Sequence, residues 1–190
     1  MRQRAVAGPA LHRSQPWPGG DGASLVTVDL RLAQVRDAEA IRRIYNLEVE
    51  TSTVTFDLVP RSRHEQEDWI TRRSGAHAVV VAEEDGEVIA FGSLSPYRER
   101  PAYSTTVEDS VYVDRAQRGR GVGKTVLNEL VRLATAHGFH AMIARIVGGH
   151  EASIALHRAV GFEVVGTERQ VGRKFNQWLD VVVVQRVLTD

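Results

Sequence analysis

From Val26 onward, hydrophobic and polar residues alternate in a regular pattern along the chain. The period of this pattern switches repeatedly between two residues and three to four residues. A period of two predicts a strand, and apolar residues three and four apart predict a helix. The predicted element order is β-α-α-β-β-β-α-β-α-β-β. The predicted strands are TVDLRLA, the pair joined at Asp85-Gly86 in HAVVVAEEDGEVIAFGSLSPY, TTVEDSVYV, AMIARIV, FEVVGTERQVG and NQWLDVVVVQRVL.

Four helices are predicted between these strands. Asp37 stands where it can cap the first helix, AEAIRRIYNLEVE, and residues 62–65, SRHE, form a capping box for the second. The third helix follows a Gly-rich stretch and ends at His137-Gly138, and the fourth, EASIALHRAV, ends at Gly161. The residues predicted to face the core are Ile41, Ile44, Tyr45 and Leu47 in the first helix and Val122, Val126, Leu127, Leu130, Leu133 and Ala134 in the third.

The composition narrows the class of protein. With 190 residues, 43% of them hydrophobic and 25% charged, the chain suits one globular domain. Lys+Arg and Asp+Glu each number 24, and this zero net charge gives no sign of a nucleic-acid or membrane partner. The lack of Cys excludes disulfides, Cys-ligated zinc and a Cys nucleophile. No apolar run approaches the roughly 20 residues that span a bilayer, so we expect a cytoplasmic protein.

The first part of the chain differs from the rest. Residues 1–24 contain Pro9, Pro16, Pro18 and four glycines, a composition that buries too little apolar surface to offset the entropy of ordering. We therefore expect a flexible tail over residues 1–24 and a single domain over residues 25–190. The apolar stretch near the start is interrupted by Pro9 and His12, so it does not predict a signal peptide.

The most informative stretch is VYVDRAQRGRGVGKT, in which a predicted strand runs through a Gly-rich loop into a helix. Glycines let backbone N–H groups approach an anion closely, and a helix N-terminus adds partial positive charge, so the loop suits phosphates. A nucleotide P-loop requires Gly where Arg118 stands, and a dinucleotide fingerprint that starts at Gly119 requires Gly where Lys124 stands. Both motifs fail, and the pattern that fits is Arg-x-x-Gly-x-Gly over residues 118–123. The alternative is a Gly-rich turn with solvated arginines.

This Arg-x-x-Gly-x-Gly string resembles the pyrophosphate loop of the GNAT superfamily of N-acetyltransferases. The resemblance extends over about residues 28–188. Within the superfamily, the chain most specifically resembles the branch of phosphinothricin and methionine sulfone acetyltransferases. Long irregular strings match that branch, and they are more specific than the loop. They are VETSTVTFDLVP, RERPAYSTTVEDSVYV, EASIALHRAVGF and VGRKFNQWLDV.

The resemblance implies an α/β fold of the GNAT type, in which a mixed, twisted sheet is flanked by helices. It also implies that acetyl-CoA binds between two diverging parallel strands, and it implies no metal. Where this chain has His150, the family usually has an Asn whose side chain contacts the pantetheine arm. The resemblance therefore does not directly imply the same contact for His150. The implied cofactor-binding residues are Val111, Tyr112, Val113, Arg118, Gly119, Arg120, Gly121, Val122, Gly123, Lys124, His150 and Ser153.

Two residues are candidates for proton transfer. Transfer of an acetyl group to an amine requires loss of a proton from the ammonium, and the departing thiolate can take one up. Glu108 matches the base proposed for this branch, and Asp109 should face the other side of the strand because side chains alternate. His157 stands where many relatives have Tyr, and we expect it to act as the acid. A solvent-facing carboxylate and a His that packs within a short helix are the structural alternatives.

Five residues are candidates for binding the acceptor: Phe56, Arg98, Arg100, Tyr103 and Lys174. An Arg can bind a carboxylate through two hydrogen bonds, and Phe56 can cover an apolar face. Surface arginines and ordinary core residues are equally consistent with these positions.

The predicted function is acetyl-CoA-dependent N-acetylation of a small amino-acid-like amine, of the phosphinothricin, methionine sulfoximine or methionine sulfone type, by direct transfer. One rival is acetylation of a peptide or protein, and another is a non-catalytic acyl-CoA sensor, which Glu108 and His157 disfavour. A nucleotide-binding switch is disfavoured by Arg118 in the loop. A homodimer is common in the family and is expected here.

Overall fold

The fold is described from a computed structural model that covers residues 28–73 and 75–188. The flexible tail predicted over residues 1–24 lies outside the described residues. The described part forms one α/β domain, and its element order is the one predicted from the sequence.

Seven strands form one mixed sheet in the order β1-β2-β3-β4-β5-β7-β6. All neighbouring pairs are antiparallel except β4 and β5, which run parallel. The strands are β1 Asp29–Leu32, β2 Val79–Glu84, β3 Glu87–Pro96, β4 Thr106–Val113, β5 Ala141–Val147, β6 Glu163–Lys174 and β7 Gln177–Val187.

Four helices cover the two faces of the sheet. They are α1 Ala38–Thr51, α2 Arg63–Thr71, α3 Val122–Ala136 and α4 Glu151–Arg158. On one face, Ile41 of α1 and Ile70 of α2 pack with Phe91 of β3. On the other face, Leu127 of α3 and Ile154 of α4 belong to a larger cluster of buried side chains. The core is therefore divided into two layers by the sheet, as a flanked mixed sheet requires.

Most of the predicted turn and cap signals are confirmed. Ser62 Oγ accepts a hydrogen bond from Glu65 N at 3.2 Å, and Glu65 Oε2 accepts one from Ser62 N at 2.7 Å, which completes the capping box. Asp85 and Gly86 have φ angles of 51° and 82°, the left-handed conformation that a two-residue hairpin turn needs. Gly138 follows the end of α3 with a φ of 78°.

Three local predictions are wrong in detail. Asp37 precedes α1 but makes no side-chain cap bond, because its carboxylate binds Arg31 at 2.7 Å and accepts from Gln34 N at 2.8 Å. Leu47 is exposed rather than buried, because it lies on the side of α1 away from the sheet. Helix α4 ends at Arg158, short of the turn at Gly161.

The sheet opens between its two central strands. Strands β4 and β5 pair only through Thr106 with Ala141, Val107 with Met142 and Glu108 with Ile143. Beyond that point β4 stays in unbroken register with β3 up to Val113, while β5 stays paired with β7 along its whole length. Because each strand is held by its outer neighbour, a gap separates their carboxyl ends.

Helix α3 lies close against the sheet beside this gap. A Cβ on Gly92 of β3 would lie 2.6 Å from Val126 Cγ1 and 2.8 Å from Leu130 Cδ1, so the helix approaches a strand that has no side chain there. A Cβ on Gly123 would lie 3.3 Å from Leu156 and 3.4 Å from Val113. These contacts fix the N-terminus of α3 at the mouth of the gap.

Candidate active site

A cavity of about 330 Å³ occupies the gap between β4 and β5, and we call it the slot. Its walls come from both separated strands, from the Gly-rich loop and from the start of α4. It is lined by residues 109–113 and 144–147, by residues 117–119 and 121–124, and by Val54, His150, Ala152, Ser153, Leu156 and His157. Every predicted cofactor-binding residue except Arg120 lines it.

The Gly-rich loop delivers backbone N–H groups to one end of the slot. Gly119 and Gly121 have φ angles of 79° and 83°, a conformation that other residues rarely adopt. Helix α3 begins at Val122, and the first intrahelical bond back to the loop is from Thr125 N to Gly121 O at 3.1 Å. The N–H groups of the first turn therefore have no intrahelical partner and form an anion site with the positive end of the helix dipole.

Two of the three cationic side chains in this loop are held in ion pairs with carboxylates of other elements. Arg118 binds Glu48 of α1 at 2.7 Å, and Arg120 binds Glu84 of β2 at 2.7 Å. Lys124 makes no ion pair within the described part of the chain. Backbone N–H groups and Lys124, rather than all three side chains, are therefore what the loop presents to an anion.

Glu48 is buried and holds the loop in place from α1. Its carboxylate accepts hydrogen bonds from Arg115 at 2.8 Å and from Ser52 at 2.6 Å as well as from Arg118. Burial opposes its charged form, but these hydrogen bonds and the two arginine charges lower the pKa of Glu48 to about 2. The carboxylate therefore stays charged at every ordinary pH, and it compensates only one of the two arginines.

Glu108 lies at the last residue pair before β4 and β5 separate. It is half-buried and does not line the slot, whereas its neighbour Asp109 does. Burial raises the pKa of Glu108, Arg145 and Arg98 lower it, and Asp109 and Glu168 raise it, so that the pKa lies above its ordinary value. A carboxylate with a raised pKa is the stronger proton acceptor once it is ionised.

The structure agrees with the prediction that the side chains of Glu108 and Asp109 point to opposite faces of the sheet. Strand β4 keeps one register with β3 over residues 107–113, so it contains no bulge that would change the alternation. Asp109 points to the face covered by α4, where it meets His157. Glu108 consequently points to the opposite face, which α1 and α2 cover.

His157 and Asp109 form a buried pair in the wall of the slot. His157 Nε2 lies 3.1 Å from Asp109 Oδ2, and His157 Nδ1 lies 2.8 Å from the carbonyl oxygen of Ser153. Because a carbonyl oxygen only accepts, Nδ1 carries a proton, and Nε2 and the Asp109 carboxyl share one further proton. Burial disfavours the imidazolium, but the hydrogen bond and charge of Asp109 raise the pKa of His157 above its ordinary value.

His150 and Ser153 lie at the start of α4 and line the slot as predicted. His150 is half-buried, and burial together with the charge of Arg118 lowers its pKa. A neutral imidazole offers one donor and one acceptor, which differs from the amide that the family resemblance leads one to expect.

The five predicted acceptor residues are not assembled in the slot. The Arg98 guanidinium lies 5.6 Å from the Tyr103 ring centroid, and Arg100 is exposed. Lys174 is buried and donates to the Thr55 carbonyl at 2.9 Å, and burial lowers its pKa. Phe56 covers Gly172 of β6 so closely that a Cβ there would collide with its ring. Of the five residues, only Arg98 contributes to the charge environment of Glu108.

Several residues of the slot were missed in the sequence. They are Val54, Asp109, Ser110, Gln117, Ala144, Arg145, Ile146, Val147, Ala152 and Leu156. For most of them the sequence carries no chemical signal, because apolar strand residues serve equally as core. Arg145 is different: it is the one charge in the apolar strand AMIARIV, and this pattern could have indicated it.

The chain matches the model of the acetyltransferase (GNAT) domain over residues 30–183. The slot between separated parallel strands and the helix that begins at a Gly-rich loop are consistent with that match. The chain therefore belongs to the GNAT acetyltransferase family.

Individual relatives cover almost the whole domain. An L-methionine sulfoximine/L-methionine sulfone acetyltransferase of Pseudomonas paraeruginosa is 38% identical over 84% of this chain and 94% of its own length. A phosphinothricin acetyltransferase from Sinorhizobium meliloti, solved in complex with acetyl-CoA, has a TM-score of 0.82 and 41% identity over 86% of this chain and 89% of its own. A ribosomal-protein-alanine N-acetyltransferase from Brucella melitensis has a TM-score of 0.82 and 38% identity over 84% and 99%. The chain is thus an N-acetyltransferase that uses acetyl-CoA.

The His157–Asp109 pair generates a first prediction. In histidine-labelled protein, nitrogen NMR should show that His157 keeps its second proton to a pH above the ordinary value of an imidazole, because Asp109 raises the pKa of His157. In Asp109→Asn the amide N–H can donate to an unprotonated Nε2, so His157 should become neutral. The pair assignment is wrong if His157 loses this proton at or below the ordinary pH for an imidazole in the parent, or if Asp109→Asn leaves its signals unchanged while circular dichroism shows an intact fold.

Proposed function

We propose that this N-acetyltransferase acetylates the α-amine of a small amino acid of the phosphinothricin, methionine sulfoximine or methionine sulfone type. The observation that carries the proposal is the position of Glu108, a half-buried carboxylate at the point where the slot opens. The acceptor class is supported by the names of the Pseudomonas and Sinorhizobium relatives.

The slot suits acetyl-CoA. The N–H groups of residues 119–124 and Lys124 would hold its pyrophosphate, and the separated edges of β4 and β5, with His150 and Ser153, would hold the pantetheine arm. Acetyl-CoA supplies the thioester whose acetyl group is transferred. We propose that the backbone of the loop binds the pyrophosphate. Arg118 and Arg120 support this role by holding the loop in place through their ion pairs with Glu48 and Glu84.

Glu108 is the proposed base. It takes the proton that the acceptor ammonium must lose before its nitrogen has a lone pair. Burial raises the pKa of Glu108, while the charges of Arg145 and Arg98 oppose this rise, so the carboxylate is a stronger proton acceptor than an exposed one.

His157 is the proposed acid. It holds a proton on Nε2 in the wall of the slot, and Asp109 keeps that proton in place. Both ring nitrogens already have partners, so donation to the departing sulfur requires the ring to release Asp109. Because solvent can also supply this proton, the loss of His157 should cost less than the loss of Glu108.

The proposed acceptor site lies on the Glu108 side of the sheet. Arg98, Arg100 and Tyr103 belong to the loop before β4, and Phe56 and Lys174 join the segment after α1 to β6. We propose that these five residues form a rim that closes around the side chain of a small acceptor, and that Arg98 or Arg100 contributes positive charge. Lys174 acts mainly by fixing the segment that carries Phe56.

Acetylation of a protein N-terminus is the second candidate. It is supported by the name of the Brucella relative, whose similarity to this chain is comparable. A peptide acceptor would require the rim around Glu108 to remain open.

We further propose a cytoplasmic homodimer that works without metal, nucleic acid or membrane. Large apolar side chains are exposed at Val165 and Val171 of β6, at Trp178 of β7 and at Phe175 in the turn between them, and light scattering would test pairing through them. Within residues 28–73 and 75–188, no cluster of three metal-binding side chains occurs. No helix of this described part is long and apolar enough to cross a membrane.

The base assignment predicts a specific pH effect. Activity should fall as the pH drops through the raised pKa of Glu108, so the acidic limb of kcat/KM should lie above the ordinary carboxyl range. Glu108→Gln should lower kcat by roughly 10² and remove that limb. Glu87→Gln, on an exposed strand position, is the control. A Glu108→Gln enzyme within a few-fold of the parent would show that another group is the base.

The acceptor assignment is tested by thiol release from acetyl-CoA with a panel of amines. Methionine sulfone, methionine sulfoximine or phosphinothricin should be acetylated in preference to methionine, which lacks the polar oxygens. Discrimination of roughly 10² is expected where buried donors would be left unpaired. The proposal fails if none of the three is a substrate while a peptide or an aminoglycoside is.

A further inference from the structure

Arg145 is a charged side chain in a strand that is otherwise buried. The other six residues of β5 are buried, whereas the Arg145 side chain is 35% exposed and lines the slot. Its guanidinium forms an ion pair with Glu168 of β6, in which Nη1 lies 3.3 Å from Oε1 and Nη2 contacts Oε2. Arg145 belongs to β5 and not to the Gly-rich loop that is proposed to hold the pyrophosphate, so the anion site of the loop does not account for it.

The register of the sheet places Arg145 on the same face as Glu108. Glu108 pairs with Ile143, and Arg145 follows two residues later on the same side of β5. With paired strands about 4.8 Å apart and a rise of about 3.3 Å per residue, the Cα atoms of Glu108 and Arg145 are separated by at least about 8 Å, because β5 diverges from β4 beyond this pair. Among the charges that affect the ionisation of Glu108, Arg145 has the largest effect.

A purely structural bridge explains this arrangement poorly. Strand β7 lies between β5 and β6 and is paired with both of them, so the sheet does not need the ion pair to hold these strands together. Both partners are about one-third exposed, and exposed ion pairs contribute little to stability.

The guanidinium has room for a second carboxylate. Glu168 takes one N–H each from Nη1 and Nη2, and Nε makes no hydrogen bond to the described residues. The Nε–H and an adjacent Nη N–H therefore form a second pair of parallel donors, which can bind a carboxylate in bidentate fashion.

We propose that Arg145 binds the α-carboxylate of the acceptor, and that Glu168 orients it. The inference rests on the proposed function, because only an α-amino acid brings a carboxylate close to the amine that Glu108 deprotonates. In such an acceptor one carbon separates the two groups, so the carboxylate ligand must lie beside the base. Arg145 does, whereas Arg98 stacks on Tyr97 and Lys174 is bound to the Thr55 carbonyl.

The test compares two acceptors that differ only in charge: methionine sulfone and its α-carboxamide. Arg145→Ala should raise KM for the acid at least tenfold and change KM for the amide less than threefold, with KM for acetyl-CoA unchanged. Arg145→Lys should recover part of the affinity for the acid. Arg132→Ala, which removes an exposed ion pair on α3, is the matched control and should change neither acceptor.

Glu168→Gln separates the proposed role from a structural one. A structural bridge is lost equally when either partner is removed, whereas a carboxylate site keeps its preference for the acid as long as Arg145 is present. Equal losses for acid and amide in Arg145→Ala, or no change for the acid, would overturn the inference. If the parent acetylates no α-amino acid at all, the proposed function itself is wrong, and the inference falls with it.

Discussion

The partial pairing of two parallel strands is the constraint on which the rest of the structure depends. Strands β4 and β5 share three residue pairs and then separate, because β3 holds one of them and β7 holds the other along their full lengths. The separation leaves strand edges without a neighbour and opens a slot in the middle of a sheet that is otherwise continuous. Glu108 belongs to the last shared pair, so the proposed base lies where the slot begins.

The alternation of side chains along β4 divides the chemistry between two faces. Glu108 faces the layer of α1 and α2, where the acceptor is proposed to bind, and Asp109 faces α4 and holds His157. Two adjacent residues of β4 thus carry the carboxylate that is proposed to accept a proton and the carboxylate that binds His157. Burial raises the pKa of Glu108, and on the acceptor face Arg145 lowers it while Glu168 raises it.

Much of the fold could be predicted from local signals. The bounds of β5, the capping box at Ser62 and the hairpin at Asp85-Gly86 depend on neighbouring residues, and they were found from the sequence. Asp37 was misread because its partner Arg31 lies in a strand rather than in the helix that Asp37 precedes.

The candidate site was predicted less completely, because its contacts are distant in sequence. Glu48 pairs with Arg118 across 70 residues, and Glu168 pairs with Arg145 across 23 residues. Contacts between residues so far apart leave no periodic pattern in the sequence from which they could be predicted. The family resemblance indicated the loop, Glu108 and His157, but it did not indicate Asp109 or Arg145, whose roles depend on which strand or helix faces them.

The most direct measurement of the central claim is calorimetric titration of acetyl-CoA into Gly121→Asp and Gly138→Asp. Both glycines have a left-handed backbone with no heavy atom within 4 Å of an added Cβ, but they lie at opposite ends of α3. With the pyrophosphate at the N-terminus of α3, Gly121→Asp should weaken binding at least about tenfold, or about 1.4 kcal/mol, and Gly138→Asp should leave the affinity nearly unchanged. Equal affinities in the two variants would contradict the account.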